Sequence, residues 1–189
     1  MRKLIWLPTL ILFFISCANE EQPKPRAYLA LSYPEAKYGV YNNDCPYTFE
    51  INELAVAQKP PGARECWVNL NYDLLNGTIF LTYQPVRNNL DSLLRDAQKL
   101  PLQHTIKADA IEGDIYTNPY NNTYGMFYEV SGNAASQAQF YLTDSVRHFL
   151  TGSVYFNAQP NFDSIIPAAD YLKKDIRHLM ETVKWSRKE

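Results

Sequence analysis

Two runs of alternating large apolar and polar or small residues, Gln137 to Thr143 and His148 to Asn157, flank the short stretch Asp144-Ser145-Val146-Arg147. That pattern predicts two antiparallel strands joined by a tight turn at the centre of a sheet. Tyr124 to Ser131 alternates in the same way, with Tyr124, Met126, Tyr128 and Val130 on one face, and Lys107 to Thr117 is a further strand. Cys66 to Tyr72 and Thr78 to Tyr83 form a hairpin across the turn dipeptide Asn76-Gly77. Two more short strands are predicted at Arg26 to Tyr33, which stops at Pro34, and at Pro46 to Ile51.

The period changes from two to 3.6 in two places. Leu90, Leu93, Leu94, Ala97 and Leu100 fall on one face of a helix, with Asn89 as the expected N-cap and Pro101 as the stop. Ile165, Ala168, Ala169, Leu172, Ile176, Leu179, Met180 and Val183 make a longer apolar stripe that must lie on the sheet. Its expected N-cap is Asp163 or Ser164, and His178 is expected to complement the dipole at its C-terminus. Strands interrupted by two helices predict an α+β fold, an antiparallel sheet of about six to seven strands covered by two helices. This order of elements resembles the PsbP-like fold.

The first residues follow a different logic. Arg2 and Lys3 precede an apolar run from Leu4 to Ile15, which as a helix would rise about 18 Å, short of the roughly 30 Å hydrocarbon core. Residues 1–16 therefore read as a cleaved signal. Phe14-Ile15-Ser16-Cys17 resembles a bacterial lipobox, which makes Cys17 the lipidated N-terminus of the mature chain. Residues 17–25, polar and stiffened by Pro23 and Pro25, read as a tether, and residues 26–189 as a single globular domain.

Charge and cysteine usage narrow the classes. Without Arg2 and Lys3 the 18 Lys and Arg fall to 16 against 20 Asp and Glu, an acidic balance that argues against nucleic acid as a partner. With Cys17 acylated, Cys45 and Cys66 remain, and an oxidising compartment would permit them to pair. Two cysteines without a nearby histidine are too few to ligate zinc. Asp109, Glu112 and Asp114 lack the spacing of a calcium loop, and seven glycines include no phosphate-cradling run, so neither a metal nor a cofactor is expected.

Asp144, Ser145 and His148 are the residue types of a nucleophilic triad. They crowd a turn whose own stability calls for Asp and Ser, and no strained nucleophile elbow accompanies them, so no catalytic residue is assigned. Polar loops beside the central strands remain as the candidate partner surface: Asn133, Ser136, Asp144, Arg147, His148, Asn161 and Asp163.

Gly132-Asn133-Ala134-Ala135-Ser136, Gln139 through Ser145, His148-Phe149-Leu150, Tyr155-Phe156-Asn157 and Pro160-Asn161 with Asp163-Ser164 carry a family resemblance, together with Pro23-Lys24-Pro25-Arg26 and Pro46-Tyr47 nearer the start. In these stretches the chain resembles the gliding-motility lipoprotein GldD family of Bacteroidetes-type bacteria. The resemblance implies a lipid-anchored cell-envelope protein needed for gliding, supporting the type IX secretion machinery through contacts with other envelope proteins and without known catalysis. A small-ligand or peptide binder and, behind it, a serine hydrolase using Ser145 and His148 are the competing classes. The residues after Cys17 do not specify which membrane holds the lipid.

Overall fold

The computed structural model describes residues 31–104, 107–157 and 162–186. Its strands are β1 (Tyr38–Tyr41), β2 (Tyr47–Asn52), β3 (Val56–Gln58), β4 (Val68–Tyr72), β5 (Gly77–Pro85), β6 (Ala108–Asn118), β7 (Thr123–Gly132), β8 (Ser136–Thr143), β9 (His148–Phe156) and β10 (Lys184–Trp185). The helices are α1 (Leu90–Lys99) and α2 (Phe162–Thr182). Seven strands form one antiparallel sheet in the order β3-β4-β5-β9-β8-β7-β6, and β1-β2-β10 form a smaller one. The fold is thus α+β, as the periodicity predicts.

Two-residue alternation gives the large sheet two different faces. Phe140, Leu142, Leu150, Val154, Ile79, Leu81 and Leu70 share one face in register and meet Leu172, Ile176 and Leu179 of α2 in the main core. Tyr141 and Phe149 point to the other face, where Leu93 of α1 closes a second, smaller cluster. β8 is consequently buried at all eight positions. Its partner β9 makes room at Gly152, directly opposite Phe140, where an added Cβ would overlap the phenylalanine ring.

β2 lies along the other side of α2 and is fastened to it by a buried polar cluster. Tyr38 Oη donates to Asp175 Oδ1 at 2.6 Å and Asn52 Nδ2 to Oδ2 at 2.8 Å, while Asn52 Nδ2 also reaches Tyr171 Oη at 3.0 Å. Burial raises the pKa of the Asp175 carboxyl above its ordinary range, although hydrogen bonds from Tyr38, Asn52 and Tyr72 oppose it. Cys45 and Cys66 are joined by a disulfide with their Cα atoms 5.4 Å apart, which ties the segment before β2 to the start of β4.

Several local expectations are corrected. Asn89 makes no side-chain cap on α1, because its Oδ1 accepts from Arg87 N–H instead. α2 starts earlier than Asp163 and Ser164 suggest, at Phe162, whose N–H is taken by Asn133 Oδ1 at 3.0 Å. Pro167 then falls inside the helix and leaves the Asp163 carbonyl without its intrahelical donor. His178 does not serve the helix end: its Nε2 meets Glu50 Oε2 at 2.7 Å and its ring stacks on Tyr38 at 3.6 Å. Leu31 to Tyr33 are irregular, and the rest of the strand expected from Arg26 lies outside the described residues, as do Cys17 and Asn161. The Asn76-Gly77 hairpin is closed by a longer turn, Asp73–Leu75 followed by left-handed Asn76.

Two stability predictions follow from this packing. Gly152→Val should lower the unfolding free energy by about 2 kcal/mol through overpacking against Phe140, read from the urea midpoint at constant m. Replacing Cys45 and Cys66 together by serine should cost about 3 kcal/mol by the same measurement, the loop-closure contribution for a separation of 21 residues.

Candidate functional site

The turn Asp144 to Arg147 sits at one end of the large sheet and is fixed by its own side chains. Asp144 Oδ1 accepts from the backbone N–H groups of Val146, Arg147 and His148 at 3.0, 2.8 and 2.8 Å. Thr143 Oγ1 donates to the His148 carbonyl at 2.6 Å and accepts from Ser145 N–H at 2.9 Å. Ser145 adopts a positive φ of 64°, a conformation this network holds in place. Burial pushes the Asp144 pKa upward, but the three N–H donors outweigh it and leave the carboxyl below its usual range.

His148 starts β9 and is 8% exposed. Its ring stacks on Trp185 with centroids 5.2 Å apart and planes 4° from parallel, and its Nδ1 lies 2.9 Å from Tyr83 Oη. Nε2 stands 4.0 Å from Asp144 Oδ2, beyond hydrogen-bond reach. Burial lowers the imidazole pKa, helped by Arg147 and opposed by Asp144. Trp185 arrives here because β10 pairs with Tyr47 and Thr48 of β2 directly after α2 ends. Its Nε1 is buried without a hydrogen-bond partner among the described residues.

A second hairpin end stands beside the turn. Pro119–Asn121 and left-handed Asn122 close β6 and β7, with Asn118 Oδ1 accepting from Asn121 N–H at 3.3 Å. Tyr120, at the tip, is 100% exposed. Between these turns and β10 lies a hollow of about 520 Å³ lined by residues including Tyr120, Asn122, Arg147, His148, Lys184 and Trp185. Val146 and Arg147 are exposed on its rim.

The predicted partner surface is therefore divided. Asp144, Arg147 and His148 meet at this pole, with His148 serving as its floor rather than as an exposed contact. Ser136 is 0% exposed and donates from Oγ to the Ala138 carbonyl, so it too is no surface residue. Asn133 and Asp163 are exposed but stand at the opposite end of β8, which at eight residues spans roughly 25 Å. Tyr120, Lys184 and Trp185 escaped sequence reasoning; the turn residues Pro119 and Asn122 signalled a hairpin tip, but nothing local places β10 beside it. Among the described residues no three or more His, Cys, Asp or Glu side chains gather as a metal site.

The buried neutral imidazole carries a pH consequence. A histidine whose folded pKa is depressed contributes stability that is complete above its unfolded value of about 6.5 and is lost as pH falls through the folded pKa. Native stability should fall on acidification below about pH 6.5, and His148→Gln should remove that part of the slope; pH-dependent urea unfolding of both proteins checks it.

No curated protein matches the chain, and among the described residues no helix is long and apolar enough to cross a membrane. The profile of one family, described as gliding motility lipoprotein GldD, matches residues 18–185. The match runs through both sheets, both helices and the pole between Tyr120, Arg147 and Trp185, so the chain belongs to the gliding motility lipoprotein GldD family.

Proposed function

We propose that the protein takes part in gliding motility as a non-catalytic envelope component, tethered to a membrane by lipid on Cys17, that docks another envelope protein of the gliding and type IX secretion machinery through the pole around Arg147. Membership of a lipoprotein family involved in gliding supports the setting. The observation that carries the docking role is the rigid display of Tyr120, Val146 and Arg147 on hydrogen-bonded turns around a 520 Å³ hollow floored by Trp185 and His148. Tyr, Trp and Arg are the residue types enriched among binding hot spots at protein interfaces, the aromatic ones because they bury large area with little loss of conformational freedom and Arg because its planar fork makes several hydrogen bonds at once.

The same geometry argues against hydrolysis. A triad needs a carboxylate that orients the base within hydrogen-bond distance, and here Asp144 commits Oδ1 to the turn while Oδ2 stays 4.0 Å from the imidazole. Tyr83 occupies the other ring nitrogen.

Tyr120→Ala combined with Arg147→Glu should reduce recovery of envelope partners with the tagged full chain by about tenfold or more and impair colony spreading, with the thermal midpoint unchanged. Cys17→Ala should abolish spreading and Ser145→Ala should retain it. Loss of function in Ser145→Ala, or full partner recovery in the double variant, would overturn the reading.

A further inference from the structure

The large sheet ends differently on its two sides. β3, at one edge, is three residues long, too short to template another strand. β6, at the other edge, is eleven residues long and pairs with β7 alone among the described residues. Every second residue of a strand turns its N–H and C=O away from its single neighbour, so β6 presents about five donors and five acceptors outward. Proteins usually blunt such an edge with lysine or proline, and β6 contains neither.

Its side chains define what would fit. On the face shared with α2 stand Glu112, Asp114 and Tyr116, and Asp114 accepts from Arg177 Nη2 at 2.8 Å. That guanidinium is also committed to Glu129 at 2.7 Å, and Lys173 reaches Glu129 at 3.2 Å, so these two of the α2 cations are already shared among carboxylates. Glu112 and, at the bulge, Asp109 add further exposed negative charge. On the opposite face stand Ile111, Gly113 and Ile115, the last 83% exposed. Beside them a shallow hollow of about 590 Å³ is lined by Leu102, Ile111, Gly113, Met126 and Tyr128 among others, and Gly113 lets Met126 and Tyr128 pack over the strand, where an added Cβ would crowd both.

We infer that β6 accepts an extended segment of another protein as an eighth strand, one carrying basic side chains on the α2 face and apolar side chains on the α1 face. Main-chain hydrogen bonds along β6 supply the affinity, and the alternating acidic and apolar positions supply the specificity. A second copy of the chain is disfavoured by the same charges. Antiparallel self-pairing about Gly113 would set each Glu112 directly against the other copy's Asp114, and like charges in direct register repel. This surface is separate from the Arg147 pole, so the two readings fail independently.

The test uses the full chain and a synthetic peptide of alternating lysine and valine as long as β6, with two controls: its glutamate–valine counterpart, and the lysine–valine peptide N-methylated on alternate amides. The lysine–valine peptide should bind at least about tenfold more tightly than either control. It should also slow hydrogen exchange within Ala110–Tyr116, and both effects should be lost in Glu112→Lys with Ile115→Lys, positions exposed enough to leave the fold intact. Equal binding of the methylated peptide would show charge attraction alone and overturn the inference. So would self-association that the double substitution abolishes, since the occupant would then be a second copy. Edge amides that are protected without peptide and released when residues 18–30 are deleted would overturn it as well, by making the chain's own leader the occupant.

Discussion

Burial of both faces of β8 is the constraint on which the rest of the structure depends. A strand with all eight residues buried must be covered twice. Ala138, Phe140 and Leu142 require an apolar partner on one side, and Tyr141 requires another on the opposite side. The stripe of α2 meets the first requirement and α1 the second. Each helix arrives by a connection that starts at an edge of the problem: α1 follows β5, whose register with β9 carries the chain to Pro85 opposite His148, and α2 follows β9. Gly152 is the local adjustment that lets Phe140 lie flat across its neighbour.

A helix laid on a sheet has a second side, and here it is not left to water. Asp175, between Leu172 and Ile176 in sequence, remains buried and gathers Tyr38 and Asn52 from the small sheet. A lone buried carboxylate would be costly; one with well-placed donors is tolerated, and its geometry selects one position of β1 and β2 along the helix. Apolar contact alone would permit sliding. The cluster, together with Glu50 on His178 and the disulfide to β4, fixes the register that finally delivers Trp185 to His148.

The central sheet and both helices were legible because their signals are periodic and long. β8, β9 and the α2 stripe each repeat a pattern over many residues; alternation placed the two faces of β8, though not the burial of its polar positions Gln137, Gln139 and Thr143 as well. β1, β3 and β10 carry four, three and two residues, too few for alternation to register, and they exist only because distant segments pair with them. Asn89 stands at the N-cap position of α1 as expected, although its side chain bonds Arg87 N–H instead of the helix, and at the start of α2 Asn133, a neighbour in space and not in sequence, accepts from Phe162 N–H. At the pole, Asp144, Arg147 and His148 could be read from turn chemistry. Tyr120 and Trp185 could not, since one sits on another hairpin and the other on the last strand of the small sheet.

The physical character of that pole rests on how firmly the His148 ring is held. His148 is stacked on Trp185, engaged through Nδ1 by Tyr83 and held toward its neutral form by burial, while its Nε2 stays 4.0 Å from the Asp144 carboxylate. Each of those contacts removes freedom from the ring. They turn a titratable group into rigid flooring beneath exposed Tyr120 and Arg147, and under the docking role proposed above that rigidity would leave little further order to impose on binding. The turn residues that mimic a triad in sequence thus hold the turn itself in the structure, Asp144 through three backbone N–H groups.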